Sequence, residues 1–231
     1  MAKRITALFF AVVMIMSLCV TPNAKSEKVT NVNEAMKFAR SCNPFEIKKA
    51  TLYTEGKKVG TVYVVGMTGT NNSLDTDDIL CFQNCLRAGF NIDNSYKAEV
   101  KEAMFRQIPK DADVIFICHS LGGMVAQQLA ADEEVKENFN ILNTLAIGSP
   151  YVVQFSEKEG ELHRMADSGD AIPYMSPAGV ANFFLGNFTY EDCGYFGNPD
   201  GAHNESYAKA ENWNKYDCFG IENGTNYIVI K

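Results

Sequence analysis

The segment with the clearest chemical content is Asp113-Val-Ile-Phe-Ile-Cys118-His119-Ser120-Leu121-Gly122-Gly123-Met-Val-Ala-Gln127. An apolar, β-branched run meets a serine, and two glycines and a row of small residues follow. This order predicts a strand buried on both faces, a sharp turn presenting Ser120, and a helix from Leu121. A serine hydroxyl is a weak nucleophile unless a base is held against it, and a strand end is a rigid place to do so. Such a turn is strained and tolerates only small neighbours, which Gly122 and Gly123 supply. The Leu121 amide, at a helix N-terminus, would face a developing oxyanion. The competing reading is an ordinary strand–turn–helix with a surface serine. Cys118 stands where the motif has its first glycine; cysteine is small and buries readily.

Serine chemistry also needs a base and a carboxylate to orient it. Two of the three histidines, His163 and His203, lie beyond Ser120. His163 sits in Glu161-Leu-His-Arg-Met-Ala166, within an expected strand, where a structural role suits it better. His203 sits in Asn198-Pro-Asp-Gly-Ala-His-Asn-Glu-Ser-Tyr207, a loop entering a helix, from which an imidazole can reach across strand ends. For the acid, Asp167 and Asp170 compete in Ala166-Asp-Ser-Gly-Asp-Ala-Ile-Pro173, and both follow a strand. The one not used would cap the turn.

The remaining elements must position these groups. A helix is expected over 29–41, with Val32, Ala35, Met36 and Ala39 on one face. Two strands, Ile47–Tyr53 and Gly60–Gly66, flank a turn at Gly56-Lys57-Lys58. Helices are expected over 74–88, 98–108, 121–131 and 204–212, and strands over 113–118, 139–147, 162–166 and 226–230. Strands alternating with helices imply α/β layering around a mostly parallel sheet.

Composition bounds the function classes. The chain has 231 residues, 46% of them hydrophobic and 21% charged, which excludes collagen, coiled coil and long disorder. A formal charge of −7 provides no basic footprint, so no nucleic-acid partner is expected. Met1-Ala-Lys3-Arg4, the apolar run Ile5–Val20 and Thr21-Pro-Asn-Ala24-Lys-Ser26 follow the secretory signal pattern, with cleavage after Ala24 or Ser26. Residues 1–26 are therefore expected to be a signal peptide and 27–231 one catalytic domain, secreted or otherwise extracytoplasmic. The run is short for a membrane-spanning helix. Six of the seven cysteines lie beyond it, an even number that permits disulfides, with Cys193–Cys218 the preferred pair. Without a Cys-x-x-Cys pair, and with three histidines, a zinc site is not expected.

The elbow, and the motifs around it, resemble the class 3 (fungal-type) lipases of the α/β-hydrolases over roughly Val62–Trp213. Leu145-Ala-Ile-Gly148-Ser149-Pro150 is similar to the family's strand followed by glycine, serine or alanine, and proline. Val64-Val-Gly-Met-Thr68-Gly69-Thr70 is similar to its strand ending in arginine-glycine-threonine/serine, with Thr68 in place of the arginine. Asp75-Thr-Asp-Asp78 resembles its aspartate-tryptophan-x-x-aspartate without the tryptophan. The resemblance implies an α/β-hydrolase fold with chain order Ser, Asp, His. It selects Asp170, because Asp170-Ala-Ile-Pro173 is similar to the family's aspartate-x-valine-proline, and it selects His203, which resembles the family's catalytic histidine preceding a tyrosine-bearing helix. It also implies an oxyanion hole of Thr70 and the Leu121 amide.

The expected activity is that of a secreted serine esterase or lipase on carboxylic, lipid-like esters, with no metal or organic cofactor. Transient contact with a lipid interface is a further expectation, and nothing in the sequence sets the oligomeric state. A phospholipase or acyltransferase would use the same triad. A catalytically silent hydrolase-fold binding protein is the reading from another class, motivated by Cys118 and Thr68. Residues 71–96 are expected to form a helix packed on the sheet or a lid. Tyr174, Phe183, Phe184, Phe188, Tyr190, Tyr195 and Phe196 are expected to line an acyl groove or form a satellite core with Trp213.

Overall fold

The computed structural model describes residues 26–69, 92–152, 157–175 and 189–231. The expected signal segment over 1–25, Thr70, the 71–91 part of the lid segment, Cys81, Cys85, Phe183, Phe184 and Phe188 lie outside the described residues.

The strands in chain order are β1 (Glu27–Val29), β2 (Phe45–Thr54), β3 (Lys57–Met67), β4 (Ala112–His119), β5 (Phe139–Ile147), β6 (Glu161–Asp167), β7 (Thr189–Glu191) and β8 (Tyr227–Ile230). Among the described residues they form one eight-stranded sheet in the order β1-β8-β2-β3-β4-β5-β6-β7. From β3 through β7 every neighbouring pair is parallel. The β2–β3 hairpin and the β8 and β1 strands beside it pair antiparallel. The sheet is mostly parallel, with helices on both faces and a serine turn after β4, the layering expected of an α/β-hydrolase. The helices are α1 (Val32–Ser41), α2 (Ser95–Gln107), α3 (Leu121–Ala130), α4 (Glu133–Lys136), α5 (Pro199–Asn204) and α6 (Ala210–Trp213).

Alternation along the strands sorts the sheet into two cores. Val62 and Val64 of β3, Ile115 and Ile117 of β4 and Leu145 and Ile147 of β5 pack with Met36 and Phe38 of α1 and with Tyr207 and Trp213. Val65 and Met67, Val114, Phe116 and Cys118 face the other way, against Val100 and Met104 of α2 and Val125 and Leu129 of α3. Central strands buried on both faces explain the unbroken apolar run at 113–118. Helix starts follow local capping: Asn31 accepts from the Glu34 amide, Asn94 from Lys97 and Asn198 from Gly201.

Three expectations are corrected. The helix expected over 204–212 is three short pieces: α5, a 3₁₀ turn Ser206–Ala208, and α6. Asn198 and Pro199 start α5 early, and Lys209 is extended at φ −77°, ψ 105°, which interrupts the run. The N-terminal helix begins at Val32 because 27–29 is spent on β1. The expected Cys193–Cys218 disulfide is absent: both are buried free thiols, as are Cys42 and Cys118. The two residues are tied into separate turns. The Cys193 amide donates to Asp167 Oδ2 at 2.9 Å, and the Cys218 amide to the Asn226 carbonyl at 3.3 Å. Among the described residues, no helix is long and apolar enough to cross a membrane.

Candidate active site

Ser120 occupies a turn between β4 and α3 at φ 54°, ψ −125°, a conformation that a non-glycine residue adopts only when its surroundings impose it. The Ser120 amide donates to the Ile147 carbonyl on β5 at 3.0 Å, and the Gly123 amide to the Ser120 carbonyl at 3.0 Å. The turn leaves no space for side chains beside it. A Cβ on Gly122 would lie 2.7 Å from the Met67 and Thr68 carbonyls, and one on Gly123 would lie 2.6 Å from Ser149 Oγ. Gly69, at the end of β3, is under the same constraint: a Cβ there would meet Ser120 Cβ at 2.5 Å. The Cys118 side chain points to the opposite core, with Sγ 3.9 Å from the Val65 carbonyl, so the turn closes without glycine at that position. Burial holds its thiol well above the usual cysteine range, which keeps it protonated and inert.

The structure brings Ser120, His203 and Asp170 into one line. His203 Nε2 lies 3.0 Å from Ser120 Oγ, and His203 Nδ1 lies 2.9 Å from Asp170 Oδ2. The carboxylate can only accept, so Nδ1 carries the proton and Nε2 presents its lone pair to the serine hydroxyl. Asp170 is fully buried without being an orphan. Its Oδ1 accepts from the Ile172 amide at 2.9 Å, and its Oδ2 accepts a second bond from the Tyr207 hydroxyl at 2.7 Å. Tyr207 is itself buried; its hydroxyl oxygen accepts from the Asp167 amide at 3.1 Å, and burial beside Asp170 drives its ionisation far above the usual tyrosine range. Local sequence does not assign this role to Tyr207; its place four residues after His203 is the available signal.

The other candidates lie elsewhere. Asp167, also fully buried, spends its oxygens on the Gly169 and Cys193 amides, at 2.8 and 2.9 Å. His163 sits on β6 with its Nε2 3.1 Å from Glu161 Oε2. Leu121 is the first residue of α3, so its amide has no intrahelical acceptor and is available to an anion beside Ser120. Thr70 lies outside the described residues. Of the aromatic loop residues, Tyr174 and Tyr190 stack at 6.2 Å, Trp213 is fully buried in the α1-side core, and Phe196 is 93% exposed.

The remaining histidine of the chain joins His203 at the site. His119, the last residue of β4, packs against His203 with ring centroids 4.6 Å apart and the ring planes tilted by 30°, and its Nε2 lies 3.2 Å from the His203 carbonyl. Burial, with His203 and Arg40 adding to it, pushes its pKa down to about 3, so it is neutral at physiological pH.

No protein-family model matches the chain, and no curated protein matches it. Among solved structures, the Lip2 lipase of Yarrowia lipolytica is similar at a TM-score of 0.30 and 13% identity, over 59% of this chain and 62% of that one. Its nonglycosylated form matches at the same score and identity over 61% and 63%. The chain thus spans under two thirds of the length of either lipase chain. At so low a score the functional reading rests on the residues themselves.

Proposed function

We propose that the chain is a serine hydrolase of carboxylic esters, with Ser120 as nucleophile, His203 as general base and Asp170 as the orienting carboxylate. The observation that carries this reading is the continuous hydrogen-bonded line from Ser120 Oγ through His203 to Asp170, at 3.0 and 2.9 Å. As Ser120 Oγ attacks the ester carbonyl, His203 Nε2 takes its proton, and the Oγ–acyl bond forms while the carbonyl electrons move onto oxygen. The Leu121 amide stabilises that oxyanion, with Thr70 as its proposed partner. The protonated His203 then returns the proton to the leaving alcohol. Water, deprotonated by the same nitrogen, releases the acid and regenerates Ser120. Asp170 fixes the tautomer and stabilises the imidazolium; the Tyr207 hydroxyl and the Ile172 amide hold the carboxylate.

A lipid-like ester is the proposed substrate class. Met175, five residues beyond Asp170, is 71% exposed, and Phe196, on the loop entering α5, is 93% exposed. Each lies within seven residues of the acid or the base along the chain, and a lipid interface would cover both. Export, from the residue 1–26 pattern, belongs to the same proposal. Turnover of p-nitrophenyl esters of increasing chain length, followed by triacylglycerol and phospholipid emulsions, tests it. Ser120→Ala and His203→Ala are each expected to remove nearly all turnover, because members of such a line act as a unit. Undiminished hydrolysis by folded Ser120→Ala would overturn the assignment.

A further inference from the structure

Ser120 and His203 are 83 positions apart and belong to different elements, yet proton transfer requires them to stay within hydrogen-bond reach. His203 lies on the last turn of α5, a six-residue helix whose final carbonyls have no intrahelical partner. Two of those carbonyls are held by side chains from other elements. The His203 carbonyl faces His119 Nε2 at 3.2 Å, and the Asn204 carbonyl accepts from Arg40 at the end of α1. A carbonyl only accepts, so the bond fixes His119 as the Nε2–H tautomer.

The backbone at Ser120 makes this contact possible. Along β4, Ile115, Ile117 and His119 share the face covered by α1 and Tyr207, and in an unbroken strand residue 120 would point to the other face. The left-handed φ of 54° at Ser120 breaks the alternation, so that adjacent side chains, 119 and 120, both meet His203. One grips its backbone and covers its ring; the other offers the proton. The ring packed against it is neutral at working pH, so the imidazolium formed during acylation meets an uncharged aromatic ring and not a second cation. The groups facing this pair are Asp170, Ser120, Tyr207 and the Arg40 guanidinium.

We infer that His119 is a positioning residue: from the position before the nucleophile, its Nε2–H ties the backbone of the base to the elbow and keeps the imidazole in register with Ser120. This inference rests on the ester-hydrolase reading of the site.

The test compares His119→Phe, which keeps a ring and deletes the donor, with His119→Gln, whose amide nitrogen reaches about as far as Nε2. With p-nitrophenyl butyrate, His119→Phe should lower kcat about 10- to 100-fold, the scale of a small misalignment, with KM changed less than twofold. His119→Gln should restore most of that loss. Equal kcat in wild type and folded His119→Phe, or a Gln variant no better than Phe, would overturn the inference. Nitrogen-15 NMR of the wild-type chain decides the bond without a variant. A neutral Nε2–H signal for His119 from pH 5 to 9 is expected, and an Nδ1–H tautomer or titration near 6.5 would overturn it. If the wild type hydrolyses no ester, the ester-hydrolase reading fails, while the NMR result still decides whether the tie exists.

Discussion

Asp167 closes β6 and Asp170 lies three residues on in the loop that follows; both are fully buried, yet they do different work. Asp167 directs its two oxygens to the backbone amides of Gly169 and Cys193, which fastens the loop after β6 to the loop after β7. Asp170 gives one oxygen to the Ile172 amide and keeps the other for His203 and Tyr207. Burial and residue type are the same in both. The partner of each oxygen separates a structural carboxylate from one able to stabilise a cation.

Substitution can sharpen that contrast. Asp170→Asn should give the largest effect. An amide beside Nδ1 can donate to it, which leaves Nε2 protonated and unable to accept the serine proton; kcat should fall by about 10³–10⁴-fold in a folded protein, measured by ester turnover. Asp167→Asn should act the other way round. One of its two amide contacts loses its acceptor, so stability should drop by about 2–3 kcal/mol in chemical denaturation, while kcat of the folded fraction falls far less than in Asp170→Asn. Comparable kcat losses in the two variants would break the distinction.

The His119 contact predicts a smaller effect with a definite sign. Its folded-state pKa, about 3, lies below the ordinary histidine value of 6.5, so the unfolded chain binds the proton first as pH falls. Stability should therefore decline on acidification through that window, with His119 accounting for about 1–2 kcal/mol between pH 6.5 and 5. His119→Phe should lack that share, and denaturation curves of the two proteins at both pH values measure it. His163→Ala should do least. Its pairing with Glu161 is exposed, so stability should change by under about 1 kcal/mol and turnover not at all.

Much of this arrangement was legible in the chain. The strand, turn and helix at 112–130 follow from a β-branched run meeting serine and glycines, and β5 at 139–147 falls where the apolar pattern predicts it. What could not be read is mostly long-range. Glu27–Val29 and Thr189–Glu191 are too short to show a period, and they become strands only because β8 and β6 offer edges to pair with. Asp167 and Asp170 could not be separated by residue type, since the difference lies in what each oxygen faces. The Tyr207–Asp170 and His119–His203 contacts join residues 37 and 84 positions apart, which no local spacing encodes. The Cys193–Cys218 pair failed for the converse reason: an even count permits bridges but does not bring two thiols into bonding geometry.

Activation of Ser120 as a nucleophile underlies every role proposed for its neighbours. Reaction of the full chain with a fluorophosphonate probe, followed by mass-spectrometric mapping of the adduct, tests it most directly. One adduct is expected, on Ser120, absent from Ser120→Ala and formed much more slowly in His203→Ala. An unmodified Ser120 in folded wild-type protein, or labelling that persists in Ser120→Ala, would contradict it.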